Sequence, residues 1–150
     1  MKGKEKLYYV LMLNLPVAIA IALTAQLVTI HTIILPLFIL NLLLAYVLAF
    51  FIGMLLPIEK IGVGFANFFK LKPGLVFGLV VNVAINFVYV TIICLVMTYF
   101  NVVLLQKLPF AAFAGGFVST YPVIYFVGYL VSFVANQPSL HFAQRLTSNE

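Results

Sequence analysis

The side chains able to do covalent or acid–base chemistry are few in this chain: Glu5, Glu59, Glu150, His31, His141 and Cys94, with no Asp. A catalytic metal needs three or four clustered His, Cys or carboxylate ligands. Here His31 and His141 are expected on opposite sides of a membrane, and Cys94 is isolated within the third apolar span. Ser119 follows Gly116-Phe-Val, but no expected span holds a His, Lys or Asp that would activate it. A proton relay places a carboxylate or His within the membrane, whereas all three Glu lie outside the apolar runs. The expectation is a protein with no catalytic residue, no metal and no cofactor.

What remains is neutral polarity at regular spacing. Asn14, Ala18, Ala22 and Gln26 fall at four-residue steps, and so do Asn41, Ala45, Ala49 and Gly53. Gly74, Gly78, Asn82 and Asn86 form a third set, and Ala112, Gly116 and Thr120, with Gly128 and Ser132 beyond, a fourth. Four residues turn a helix by roughly 400°, so each set is a slanted band on one side. Small residues in such bands let helix backbones approach closely, and Asn or Gln across the contact adds about 0.6 kcal/mol on average. The expected helix-packing residues are therefore Asn14, Ala18, Ala22, Asn41, Ala45, Ala49, Gly53, Gly78, Gly116 and Thr120.

Asn86 offers a second role. It lies one turn after Asn82 and three residues before Tyr89, so the three share a helix face. Tyr121, Tyr125 and Tyr129 make another stripe, in which the two deeper hydroxyls need buried partners; Asn86 and Thr120 are the candidates. Asn82, Asn86, Tyr89, Tyr121 and Tyr125 together form a candidate polar pocket, set against the plainer reading of helix glue. Tyr8, Tyr9 and Tyr129 read as interface anchors.

The elements that must position these residues follow from charge. Eight Lys or Arg and three Glu are the only charged side chains among 150 residues, and mean hydropathy is +1.23. A soluble domain carries about a quarter charged residues. Leu7 to Ile58, Pro73 to Gln106 and Leu108 to Gln144 contain no charge. One span needs roughly 20 apolar residues, so the first run must fold back on itself. Four transmembrane helices are expected, at about 7–28, 33–57, 73–99 and 109–133. The first run outlasts a signal-peptide core, and continuous apolarity argues against a β-barrel. Pro36, Pro73 and Pro109 fall near helix starts, where a missing N–H is harmless, and Pro16 and Pro122 fall inside spans.

Lys2, Lys4, Lys6, Lys60, Lys70, Lys72 and Arg145 lie on one side of this pattern and Lys107 alone on the other. Seven against one places both termini and the middle loop in the cytoplasm. The net charge of +5 is thus a matter of orientation, and no nucleic-acid partner is expected. In the middle loop, 58–72, Ile58, Ile61, Phe65, Phe68 and Phe69 recur at helical steps among lysines. That pattern suits an interfacial helix on anionic lipid. Gly62 and Gly64 count against it and leave an irregular basic loop as the alternative.

The two halves echo one another. Leu11-Met-Leu-Asn14 matches Leu79-Val-Val-Asn82, and Leu35-Pro36 matches Leu108-Pro109. The fold class expected is an all-α integral membrane protein built as two tandem helical hairpins, 7–57 and 73–134, with a short cytoplasmic tail at 135–150. Residues 79–86 with 113–131, which include Phe117, Tyr121 and Pro122, and more faintly Asn14 with 45–57, resemble the hairpins of the bacterial membrane family called domain of unknown function 2798. The resemblance implies a bacterial cell-membrane protein and brings no activity with it. Two functions fit: a non-enzymatic structural or interaction component, in a homodimer or with a larger membrane partner, and a passive carrier or channel for a neutral or amphipathic solute. The bands favour the first.

Overall fold

The computed structural model describes residues 3–148. Lys2 and Glu150, counted among the charges above, lie outside the described residues. The chain forms α1 (Gly3–Ile30), α2 (Leu35–Leu55), α3 (Ile58–Phe68), α4 (Leu75–Thr98), which runs on into a π-helical segment (Tyr99–Leu105), and α5 (Phe110–Ser148). Four stretches, Gly3–Ile30, Leu35–Leu55, Leu75–Leu105 and Phe110–Ser148, are long and apolar enough to cross a membrane.

Burial is sorted by size and polarity in a way water would not allow. Ala18, Ala22, Ala45 and Ala49 are completely buried, and Asn14, Asn41 and Asn86 nearly so. Large apolar side chains such as Leu35, Leu43, Phe51, Phe126 and Val134 point outward. Soluble monomers rarely expose continuous apolar surface on that scale. In lipid, by contrast, outward Leu and Phe cost nothing, and helices associate through small residues and hydrogen bonds.

Contacts define the arrangement. Helix α1 packs on α2 and most extensively on α5, while α4 packs on α5, α2 and α3. Tyr46 Oη donates to the Leu11 carbonyl (3.3 Å) and Tyr9 Oη to Asn136 Oδ1 (2.6 Å), which ties both α2 and α5 to the first half of α1. Gly53 faces Tyr89, and Gly62 faces Val81 and Ile85. Helices α2 and α3 therefore follow one another along α4 as a single line broken at Leu56 and Pro57. Pro57 has no N–H to continue the ladder. The Leu56 N–H closes α2 on Ile52 O (3.0 Å), and the N–H groups of Lys60 and Ile61 restart the helix on Pro57 O (2.9 and 3.1 Å). Lys6 Nζ reaches the freed Met54 carbonyl (3.4 Å).

The middle loop is thus helical over Ile58–Phe68, and the objection from glycine reverses at Gly62. Its buried stripe is Ile58, Gly62 and Ala66. A methyl at Gly62 would come within 3.0 Å of the Val81 carbonyl oxygen. Only glycine admits this contact; Gly64, with nothing near it, carries no such role. The tail also differs from expectation, since α5 continues to Ser148 through Pro138 and buries Ser139 and Ala143. Apolar content marks how much helix a bilayer can hold, whereas backbone hydrogen bonding decides where the helix ends.

Three reversals use non-glycine residues in the left-handed region: His31 (φ 55°), Lys70 (φ 53°) and Lys107 (φ 55°). At the first, Gln26 Oε1 accepts the Ile34 N–H (3.0 Å) and its Nε2 donates to Ile34 O (3.3 Å), tying the end of α1 to the start of α2.

Candidate functional site

Two polar regions sit at different heights in the bundle, separated by fully buried Ile21, Val90 and Ile93. The end carrying Lys6, Lys60, Lys70, Lys72 and Arg145 is here named the basic end.

At the basic end, Asn86 Nδ2 donates to Ser132 Oγ (2.6 Å) and to Asn82 Oδ1 and O (3.0 Å each). The Ser132 hydroxyl in turn lies 3.2 Å from Asn82 Oδ1 and 3.0 Å from Tyr129 O. Both groups come from four-residue bands, which is why a regular helix can aim them at each other. The cluster is a latch between α4 and α5, and it satisfies Asn86 with protein groups alone.

Beside the latch lies a cavity of about 200 Å³, lined by Tyr9, Asn14, Asn82, Asn86, Tyr89, Ser132 and Asn136 along with apolar side chains of α1, α3 and α4. A second cavity, about 230 Å³, adjoins it across a shared wall of Tyr9, Leu13, Ile85 and Tyr89. It is lined by Lys6, Glu59, Lys60 and the broken segment Leu56–Pro57. Asn14 is the unusual member. Its side chain is 2% exposed and interacts with the Tyr89 hydroxyl, but its Nδ2 makes no hydrogen bond of standard length and angle among the described residues. An unmet buried donor costs about 1–3 kcal/mol.

The far region is smaller, about 90 Å³, with Gln26, Asn41, Thr98, Asn101 and Thr120 among its lining. Asn101 Nδ2 donates to Asn41 Oδ1 (2.8 Å) and to Met97 O (2.8 Å). Asn101 stands in the π-helical segment, where Gln106 N–H bonds back five residues to Asn101 O (3.1 Å).

Among the expected pocket residues, the fold brings Asn82, Asn86 and Tyr89 to one cavity. Tyr121 and Tyr125 are directed elsewhere. Tyr121 Oη is 2.8 Å from Thr91 Oγ1, and Tyr125 Oη donates to Val83 O (3.0 Å). The partners expected for them, Asn86 and Thr120, are taken by Ser132 and by Gly116 O (2.8 Å). Neighbouring positions on a helix point about 100° apart, so tyrosines beside the Thr120 band cross to the outer side of α4. Among the packing residues, Gly78 is exposed, with nothing close to its Cα hydrogens, so no helix among the described residues packs on it. Gly116 is half-buried against Thr98 and Val102, and the other packing residues lie in the core.

Asn101 and Asn136 escape the sequence reading, and Tyr9 enters it only as an interface anchor. They sit near the ends of apolar runs, where polarity ordinarily means contact with headgroups. The signal in hindsight is their height, level with the buried amides of neighbouring helices. Among the described residues no three His, Cys, Asp or Glu come together. No protein-family model, curated protein or solved structure matches this chain.

Proposed function

We propose that this is a membrane protein that works by binding rather than by chemistry, a passive carrier or binding protein for a neutral or amphipathic small solute. Asn14 carries the reading. A buried amide donor with no hydrogen bond of standard geometry, beside Tyr89 and facing a cavity shared with Asn82 and Asn86, is a polar group able to take an acceptor from a solute. The cavities flank a helix broken at Leu56–Pro57, and irregular backbone at membrane depth is tolerated where it lines a cavity. Broken helices recur at the solute sites of secondary transporters. The small-residue bands of α1 and α2 are taken up by packing within the bundle, which shifts the balance away from the interaction reading that they favoured in the sequence.

Both termini and α3 lie in the cytoplasm in this reading, on the strength of the basic residues gathered at one end. The tandem hairpins, with their likeness to the domain of unknown function 2798 family, belong to it as well. A second reading, a non-enzymatic structural component that pairs with another membrane protein, is favoured by the uncovered Gly74–Gly78 step on α4.

Native mass spectrometry from lipid nanodiscs separates the two. A discrete bound mass that persists in Ser132→Ala and disappears in Asn14→Leu supports solute binding. A bare protein mass with only heterogeneous lipid sinks it.

A further inference from the structure

Helix α3 presents two faces with different chemistry. Ile58, Gly62 and Ala66 are buried, the Gly62 step against α4. On the other face Phe65, Phe68 and Phe69 are exposed, Phe68 at 79%, and their rings pack edge to face at 5.2 and 5.4 Å. Lys60, Lys70 and Lys72 are also exposed, with Glu59 as the acidic residue beside them. An aromatic cluster with surplus positive charge matches a surface that is apolar below and anionic above. Aromatic rings settle at the boundary between headgroups and acyl chains, and lysines reach the phosphates.

We infer that the outer face of α3 docks on anionic phospholipid of the leaflet at the basic end, through the Phe65–Phe69 cluster and Lys60, Lys70 and Lys72. Charge complementarity selects this occupant over a second copy, because two such faces would bring lysines against lysines. The inference is independent of the solute reading. It also has a structural consequence, since Ile58, Glu59 and Lys60 wall one cavity and Val63 the other. Lipid that holds α3 holds part of the wall of both.

The chain contains no Trp, so Phe68→Trp creates a single tryptophan, excited selectively beyond the tyrosine absorption band, at an exposed position that the fold does not need. The variant is placed in nanodiscs of phosphatidylcholine with or without phosphatidylglycerol, using acyl chains brominated near the headgroup. The expected result is blue-shifted emission that is quenched by bromine when phosphatidylglycerol is present. Quenching should be lost without phosphatidylglycerol, at high salt, and in the Lys60→Gln/Lys70→Gln/Lys72→Gln background. Water-like emission quenched by iodide in every disc overturns the proposal. So does equal bromine quenching with and without phosphatidylglycerol, or protection from both quenchers that grows with protein concentration, the signature of a second copy on this face.

Discussion

Asn86 and Ser132, 46 residues apart in sequence, meet at 2.6 Å in the buried seam between α4 and α5. The bond ties Asn86 to α5, although the residue also lines the neighbouring cavity. Asn14, three helices earlier in chain order and equally buried, has no hydrogen bond of standard geometry from its donor. Two amides that look alike in sequence thus differ in how the fold bonds them.

Asn86→Leu should lower stability by about 1–2 kcal/mol, since interhelical hydrogen bonds in membranes reach about 1.7. Ser132→Ala should cost less alone, because Asn86 retains Asn82. The pair forms a double-mutant cycle, measured by unfolding in mixed detergent micelles. Strict additivity would mean the 2.6 Å contact contributes nothing.

Asn14→Leu should behave in the opposite sense. Removing an unmet buried donor relieves about 1–3 kcal/mol, so the empty protein should keep or gain stability while losing bound solute. A large loss of stability with no ligand present would show that Asn14 is internally satisfied.

Glycines two residues apart should respond with opposite signs. Gly62→Ala would press a methyl on Val81 and Ile85 and should destabilise by about 1–3 kcal/mol. Gly64→Ala enters open space on a helix and should stabilise by about 0.5–1 kcal/mol. Equal effects in thermal unfolding would contradict the α3–α4 contact.

Gly53→Ala would overlap the Tyr89 hydroxyl and approach Val10. Tyr89→Phe removes that oxygen, so the double variant should recover part of the stability lost by Gly53→Ala. Absence of any recovery would place α2 away from Tyr89.

Lys107→Gly should stabilise by about 1 kcal/mol, because Lys107 holds a left-handed conformation (φ 55°) that penalises a Cβ. Lys107 is also the lone basic residue opposite the basic end, so topology mapped by cysteine labelling should stay the same in the variant. Lower stability would mean the Lys107 side chain makes a contact that outweighs the backbone relief.

The sequence by itself determined the four long apolar helices, because uncharged runs of that length have no stable home in water. It also determined most of the packing residues: small side chains at four-residue steps have one use where neighbouring backbones meet, and Ala18, Ala22, Ala45, Ala49 and Gly53 fill it. It could not decide which polar side chains find partners. Hydrogen bonding depends on the rotation and height of one helix against another, to within an ångström, and apolar periodicity leaves both open. That is why Tyr121 and Tyr125 turn to Thr91 and Val83 rather than to the Asn82–Asn86 face, and why Tyr9, read as an anchor, bonds Asn136. The tertiary structure alone made Gly62 a contact point, broke one helical line at Pro57 and left Asn14 facing a cavity, since each of these is a relation between segments that only packing brings together.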